Sequence, residues 1–248
     1  MLFYFDFYLR DFMNLTIVIT GGTKGIGRAL VERFAAGGFD IITCARNAAD
    51  LTKLQSEVER ANPAVKVYTK PTDMSLRDDV LAFAAYVQSL ERPVSILVNN
   101  AGIFAAGQLH NEPDGVLERM IDTNLYSTYY LTRALVEQMI ALQKGHIFNL
   151  CSTASITAYA NGGAYCVSKF ALYGLTKVLR EELKPHGIKV TALLPGATLT
   201  ASWEGVALPA ERFMQPQDVA ETIWAAYHLS AGAVIEELIM RPQLGDIG

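Results

Sequence analysis

Short apolar runs alternate with helical patterns along almost the whole chain, and this alternation constrains the fold more than any other feature. Leu15 to Thr20 is a β-branched run, and glycines and a helical pattern from Gly25 to Ala36 follow it. Continuous apolar strands that alternate with helices of about ten or more residues predict a parallel sheet with helices on both faces. We therefore expect an α/β fold with a doubly wound parallel sheet of about seven strands, which binds ligands beyond the carboxyl ends of its strands.

The same patterns predict the bounds of the later elements. Strands are expected at 39–45, 65–69, 94–99, 146–151, 189–194 and 234–240. A polar helix ends near residue 60, and further helices are expected at 76–90, 113–143, 163–184 and 216–229. No Pro/Gly/Ser-rich linker divides the chain, and its 51% hydrophobic content is ample for one core. We interpret residues 13–248 as a single domain.

Residues 1–12 are predicted to be an extension that precedes this domain. Asp6, Arg10 and Asp11 interrupt its aromatic residues, so the segment is too short and too charged to span a membrane. It also lacks the basic start and the small-residue cleavage site of a secretory signal. Two interpretations stay open: translation begins at Met13, or the segment is an arm that packs on a partner subunit.

The charge balance excludes some classes of partner. The formal net charge is −4, and the basic residues form no cluster. Nucleic acids and anionic membranes are therefore not expected as partners.

The cysteines and histidines indicate neither disulfides nor a metal. They are Cys44, Cys151, Cys166, His110, His146, His186 and His228. The cysteines show no CxxC spacing and are odd in number, which indicates buried thiols of a protein in the reducing cytoplasm. The histidines lack ligand spacing, so no metal site is predicted.

The first strand is followed by a glycine-rich turn, Thr20 to Gly27, which opens a helix. Glycine permits positive φ and a close approach of the backbone, and the free N–H groups at a helix start attract phosphate oxygens. The turn is thus predicted to bind the pyrophosphate of a dinucleotide. On its own such a turn could simply be tight, but its place between strand and helix favours binding.

The end of the second strand indicates which dinucleotide is bound. In many dinucleotide-binding folds an acidic residue there bonds the ribose hydroxyls and selects NAD. This chain instead has Thr43 to Asn47 without a carboxylate, and Arg46 offers a planar cation suited to a 2′-phosphate. Lys24 in the glycine turn adds a second positive charge. NADP(H) is the predicted cofactor, and the alternative is that both cations are solvated.

Tyr165 and Lys169 are four residues apart in a predicted helix. That spacing places the two side chains on one face, with their Cβ atoms about 5 to 6 Å apart. A cation beside a phenol stabilises the phenolate, so the pair is a candidate general acid/base in which Lys169 lowers the pKa of Tyr165. Taken alone, such a pair is more often a solvated helix face.

Five stretches, in order and at matching spacing, carry a family resemblance. They are TGxxxGxG at Thr20, Gly21, Gly25 and Gly27; Asp73; NNAG at Asn99 to Gly102; the set Asn124, Ser152, Tyr165 and Lys169; and PGxxxT at Pro195, Gly196 and Thr200. Between Leu15 and Pro242 the chain resembles the short-chain dehydrogenase/reductase family in its single-domain form. The resemblance implies a Rossmann-type fold and an oxidoreductase that uses a nicotinamide cofactor.

The resemblance also implies roles for the catalytic set. Tyr165 would exchange a proton with the substrate oxygen as hydride moves between substrate and nicotinamide. Lys169 would hold the nicotinamide ribose and lower the pKa of Tyr165, Ser152 would polarise the carbonyl, and Asn124 would interrupt a helix and hold a proton-relaying water.

Cofactor contacts are implied for a larger set of residues. They are Thr20, Gly21, Thr23, Lys24, Gly25, Ile26, Gly27, Arg46, Asp73, Asn100, Ala101, Gly102, Tyr165, Lys169, Pro195, Gly196, Thr198 and Thr200. Asp73 would lie near the adenine ring, and the Pro195 stretch would meet the nicotinamide carboxamide.

The substrate is expected to be a small, largely uncharged carbonyl compound or alcohol. The segments 153–163 and 199–214 should surround it, and no Arg or Lys lies between Leu199 and Ala210. Trp203 is either a pocket wall or an anchor for its loop. The final strand at 234–240 is followed by no glycine-rich tail, which counts against, without excluding, a 3-oxoacyl thioester (carrier-protein) reductase.

Two further expectations concern class and assembly. A regulator that senses dinucleotide without chemistry is the rival from another class, but such a protein usually loses the Tyr or the Lys. Relatives pair two long helices, here about 113–143 and 163–184, across a two-fold axis. A homodimer or homotetramer is therefore expected.

Overall fold

The computed structural model describes residues 15–203 and 208–246. The predicted extension and part of the predicted substrate loop lie outside the described residues. The strands are β1 Thr16–Thr20, β2 Asp40–Ala45, β3 Val67–Pro71, β4 Val94–Asn99, β5 Gly145–Leu150, β6 Ile188–Pro195 and β7 Glu237–Met240. All pair in parallel in one seven-stranded sheet of order β3-β2-β1-β4-β5-β6-β7. The predicted doubly wound α/β fold is confirmed.

In the described part of the chain, seven α-helices connect or follow the strands. They are α1 Gly25–Ala36, α2 Ala48–Ala61, α3 Arg77–Ser89, α4 Val116–Ile121, α5 Ser127–Leu142, α6 Gly163–Leu183 and α7 Pro216–Tyr227. Among the described residues, no helix is both long enough and apolar enough to cross a membrane.

The sheet separates two hydrophobic cores. Ile17 and Ile19 of β1 face a core shared with α1, α2 and α7, whereas Val18 faces a core shared with α3, α5 and α6. This follows from the two-residue period of a strand, since a strand covered on both faces must be apolar at every position. The predicted buried thiols are confirmed: Cys44, Cys151 and Cys166 are all free and buried.

The chain turns back at β1, which pairs with β2 on one side and with β4 on the other. The loops that leave β1 and β4 therefore diverge and open a crevice at the carboxyl ends of these strands. This is where a ligand of such a sheet is expected.

Four buried polar side chains, which we call the polar column, join β4 and β5 to the helices on one face. Asn99 Nδ2 donates to Asn149 Oδ1 at 2.8 Å, and Asn149 Nδ2 donates to Thr176 Oγ1 at 2.9 Å. Asn99 Nδ2 also lies 3.1 Å from Thr132 Oγ1. Asn99 and Asn149 are direct partners in the ladder. A buried amide left without a partner costs about 1 to 3 kcal/mol, so the column fixes the register of these two strands.

The predicted helix at 113–143 differs from the observed one in two places. Gly115 adopts a left-handed conformation (φ 84°), and the helix begins only after it, at Val116. A π-helical segment, Asp122–Tyr126, then separates α4 from α5. Such wide turns are rare and often lie at functional sites. The predicted interruption by Asn124 is therefore confirmed.

The last strand is shorter than predicted, because it begins at Glu237 rather than at Val234. Ala192 N still donates to Glu236 O at 2.9 Å, and side chains also bond the two carbonyls that precede the strand. Thr191 Oγ1 donates to Ile235 O at 2.6 Å, and the Arg180 guanidinium donates to Glu236 O.

Candidate active site

The glycine turn after β1 has a conformation that other residues would strain. Gly21 and Gly25 have φ of 72° and 53°, in the left-handed region that favours glycine. A Cβ on Gly27 would lie 2.1 Å from Gly21 O and 2.6 Å from Asn100 Nδ2. The turn is therefore packed against the loop after β4 with no space for a side chain.

Thr20 connects the turn to that second loop. Its Oγ1 accepts hydrogen bonds from the backbone N–H groups of Asn100 and Ala101, at 3.0 and 2.9 Å. Asn100 Nδ2 donates in return to Thr20 O at 2.8 Å. The TGxxxGxG and NNAG stretches thus form one rigid floor at the carboxyl ends of β1 and β4.

The start of α1 fits a pyrophosphate. Lys24, at the N-cap, has extended backbone and makes no side-chain hydrogen bond to the first-turn N–H groups. Those N–H groups and the positive end of the helix dipole suit a phosphate. The glycines give an anion close access to this backbone. The residues present therefore fit the dinucleotide that the turn predicts.

Arg46 and Asp73 follow the neighbouring strands β2 and β3. The Arg46 side chain is exposed. Hydrogen bonds from Ser75 and the positive charge of Arg46 hold the pKa of Asp73 below its usual value. Lys24 Nζ lies 3.8 Å from Asp50 Oδ2 and is 77% exposed. Both predicted cations are thus accessible near the end of β2, although the ion pair with Asp50 partly neutralises Lys24.

Tyr165 and Lys169 lie on the first two turns of α6. Burial raises the pKa of Tyr165 to about 12, and a hydrogen bond with Ser152 offsets part of this increase. Burial lowers the pKa of Lys169 to about 8. Lys169 Nζ lies 5.8 Å from the Tyr165 ring centroid and donates to Leu150 O at 2.7 Å.

The predicted lowering of the Tyr165 pKa is therefore not seen in this structure, and the separate effect of Lys169 on the phenol stays a prediction. The sequence predicts a lowered pKa for the phenol, and the structure gives a raised one. Burial is the largest cause of the raised pKa, because exclusion of water disfavours the charged phenolate.

Ser152 lies two residues after the end of β5, within hydrogen-bond reach of the Tyr165 hydroxyl. Its Oγ accepts a hydrogen bond from Ala154 N at 3.1 Å and lies 3.5 Å from Pro195 O. The serine therefore caps a short helical turn, Thr153–Ser155, and also offers its hydroxyl to Tyr165.

Asn124 is fully buried in the π-helical segment. Its Oδ1 accepts from Ile103 N at 2.8 Å, and its Nδ2 donates to Ile103 O at 3.0 Å and to Ser168 Oγ at 2.9 Å. The amide thus ties the loop after β4 to α6. The water relay stays a prediction.

A cavity of about 650 Å³ lies over these groups. It brings together ten of the predicted site residues: Ile26, Asn100, Gly102, Ser152, Tyr165, Lys169, Pro195, Gly196, Thr198 and Thr200. Gly25 adjoins it, since a Cβ there would lie 3.0 Å from Thr200 Cγ2. Three predicted cofactor contacts lie outside its lining: Lys24 at the start of α1, and Arg46 and Asp73 after β2 and β3.

The family model described as short chain dehydrogenase matches residues 15–208. The chain belongs to this family. The resemblance predicted from the motifs is confirmed.

Relatives of this short-chain dehydrogenase match along nearly their whole length. A sepiapterin reductase of Chlorobaculum tepidum is 32% identical over 243 residues, which cover 95% of this chain and 99% of that protein. A metagenomic short-chain oxidoreductase in complex with NADP superposes with a TM-score of 0.80 at 30% identity, over 93% of this chain and 98% of that one. An alcohol dehydrogenase of Thermococcus sibiricus, complexed with 5-hydroxy-NADP, gives a TM-score of 0.87 at 25% identity, over 94% and 99%.

The substrate side of this short-chain dehydrogenase is partly apolar. Phe104 packs edge-on against Tyr165, with ring centroids 5.0 Å apart, and is 46% exposed. Trp203 lines the cavity and packs on Phe213 with centroids 5.2 Å apart, so it is both a wall and an anchor of its loop. Leu208 also lines the cavity.

Asp246 is a cavity residue that the sequence analysis missed. Its Oδ2 lies 2.9 Å from Tyr159 Oη and also accepts from the Arg241 guanidinium. Oδ1 is buried and has no hydrogen-bond partner among the described residues. The only feature of the sequence that could have indicated Asp246 is its place directly after a glycine beyond the last strand. Gly245 indeed adopts φ 84° and turns the chain back.

Proposed function

We propose that the protein is an NADP(H)-dependent oxidoreductase that interconverts a carbonyl and a secondary alcohol, with Tyr165 as general acid/base. The observation that carries this proposal is the meeting of Ser152, Tyr165 and Lys169 in one cavity beside the glycine turn. The bound cofactor would supply or accept the hydride.

The protein groups account for the proton. Because its pKa is about 12, Tyr165 is protonated at neutral pH and can donate to the substrate oxygen. Ser152 can donate a hydrogen bond to the same oxygen while charge develops on it. Lys169, also largely protonated near pH 7, stabilises the phenolate left after the transfer.

The preference for NADP(H) over NAD(H) rests on Arg46 and Lys24. Both are exposed near the end of β2, where no carboxylate follows the strand to bind ribose hydroxyls. A guanidinium can bond two oxygens of a 2′-phosphate at once. The relatives complexed with NADP and with 5-hydroxy-NADP support this choice.

The substrate is proposed to be small and largely uncharged. Phe104, Trp203 and Leu208 give the cavity an apolar wall. The test is oxidation of NADPH with ketones, aldehydes, diketones and 3-oxoacyl thioesters. Fast turnover of thioesters alone would favour the carrier-protein reductase, and absence of any turnover while NADPH binds would favour the dinucleotide sensor.

A second candidate substrate is a pterin with a carbonyl side chain, as the name of the sepiapterin reductase relative suggests. Asp246 favours it, because a carboxylate in the cavity can accept hydrogen bonds from amino and ring N–H groups at a pterin edge. Sepiapterin therefore belongs in the panel.

Asp246→Asn gives a direct check of this candidate. The amide keeps the shape but removes the charge and half of the acceptor capacity. We expect KM for sepiapterin to rise roughly tenfold, the scale of one charge-assisted hydrogen bond, and KM for small ketones to stay unchanged. Equal KM values for sepiapterin in mutant and wild type would exclude the carboxylate from its recognition.

We also propose that the chain forms a homodimer or homotetramer. Val167, Phe170 and Val178 are 40, 46 and 53% exposed and follow a helical spacing on α6. Gly174, between them, has open space around it. An apolar stripe of this kind on a long helix suits a symmetric helix pair.

Phe170→Asp is expected to convert the oligomer to monomer, because a charge would be buried at the centre of the stripe. Sedimentation velocity at micromolar concentration measures the change. Leu81→Asp is the matched control, since Leu81 is also exposed, at 37%, but lies on α3. A wild-type monomer at this concentration would contradict the proposal.

The remaining proposals concern the extent of the catalytic domain and the cellular location of the protein. Residues 13–248 are proposed to form one catalytic domain, to which residues 1–12 contribute no active-site group. A cytoplasmic location is proposed from the free, buried cysteines.

A further inference from the structure

The helix that carries Tyr165 starts without a cap of its own. Its N-cap is Gly162, which has no side chain, and its first residue is Gly163 with φ 25°. The free N–H groups of a helix start need acceptors. Here an acceptor comes from a distant part of the chain, since both carboxylate oxygens of Glu112 accept from Ala164 N, at 3.0 and 3.2 Å.

The glycines around this carboxylate leave space for it, but a side chain in place of either Gly107 or Gly163 would collide with it. A Cβ on Gly163 would lie 1.9 Å from Glu112 Oε1 and 2.7 Å from Gly107 O. A Cβ on Gly107 would lie 2.8 Å from Glu112 Oε1. We call Gly107, Glu112, Gly162, Gly163 and Ala164 the Glu112 clamp.

A backbone contact closes the clamp on its other side. Gly107 N donates to Asn161 O at 3.1 Å, and Gly107 and Gly162 form an isolated parallel bridge. The loop after β4 is thus fastened to the start of α6 by both a side chain and the backbone.

The clamp joins the two parts of the chain that the proposed reaction must align. The loop after β4 carries Asn100 and Gly102 on the cofactor side and Phe104 against the Tyr165 ring. On the other side, Tyr165 directly follows Ala164, which Glu112 holds. Ala106 and Asn161, which flank the clamp, both line the cavity.

We propose that Glu112 is a positioning residue that fixes the height and direction of the Tyr165 phenol relative to the cavity floor. The carboxylate bonds a helix N–H and also matches the positive end of the α6 dipole, so it resists movement of the first turn. Glu112 touches no reacting atom in this arrangement. The inference rests on the proposed role of Tyr165.

The test compares Glu112→Ala with Glu112→Gln, which keeps the size and one acceptor oxygen. We expect E112A to lower kcat roughly ten- to a hundredfold, the effect of a displacement of about 1 Å, with KM for NADPH unchanged. E112Q should recover most of kcat. Glu118→Ala is the control, because Glu118 is an exposed carboxylate on the next helix, α4.

Hydrogen exchange gives a readout that does not depend on turnover. Backbone amides in 162–168 should exchange faster in E112A than in wild type and at near wild-type rates in E112Q. An E112A protein with unchanged exchange there, with wild-type kcat, or with a loss confined to the NADPH KM, would overturn the proposal. If the wild type reduced no carbonyl compound, the proposed function would fail, and the exchange result would still decide whether Glu112 holds the helix start.

Discussion

Replacing Tyr165 by phenylalanine is expected to lower kcat by at least about 10²-fold, the usual contribution of general acid/base catalysis. The ring and its packing on Phe104 stay, but the transferable proton is lost. Affinity for NADPH should be nearly unchanged, which fluorescence titration of the cofactor would measure beside steady-state reduction of the best substrate.

The control for this substitution is Tyr173→Phe, because Tyr173 lies two turns further along the same helix and outside the cavity lining. It should keep near-normal turnover. Normal turnover in Tyr165→Phe itself would remove Tyr165 from the mechanism. With a pKa of about 12, Tyr165 stays in its proton-donating form throughout the neutral range. Reduction should therefore not lose rate through titration of this group between pH 6 and 9, a range about three units or more below its pKa.

Arg46→Asp is expected to reverse the preference between the two dinucleotides. The change removes a charge-assisted hydrogen bond to the 2′-phosphate, about 1.5 to 3 kcal/mol or roughly ten- to 150-fold, and adds repulsion. The new carboxylate could also accept from the ribose hydroxyls of NADH. The measurement is the ratio of kcat/KM for NADPH to that for NADH.

Arg60→Asp is the matched control, because Arg60 is also exposed on the α2 side of the sheet but lies at the far end of that helix. It removes the same charge from the protein without approaching the turn. A wild-type enzyme that prefers NADH would show that Arg46 does not select the cofactor.

The fold and the catalytic set were predictable because each depends on local pattern. Alternating strands and helices specify a parallel sheet, and a parallel sheet places the residues after β1, β4 and β5 at one edge. Thr20 ends the first of these strands, and Asn100 and Ser152 follow the other two in the sequence. Their meeting in space therefore needed no information beyond the order of the elements.

Other parts of the site depend on contacts that no pattern records. Asp246 and Tyr159 are 87 residues apart, and Glu112 and Ala164 are 52 apart. Neither acidic residue belongs to a motif. The direction of the Tyr165 pKa was also beyond the sequence, because desolvation is the sum of all neighbours that exclude water, whereas the helical spacing reveals only Lys169.

The polar column has a consequence for how the enzyme is assembled during folding. Asn99 and Asn149 are 50 residues apart, so their bond forms only after a long loop has closed, and long-range contacts of this kind slow folding. A slip of β5 by one residue would place the Asn149 amide on the opposite face of the sheet and break its bond to Asn99. The same slip would shift the Leu150 carbonyl, which orients Lys169. Chains that mispair these strands would thus be both less stable and inactive. Folding to the active enzyme therefore requires the correct register between β4 and β5.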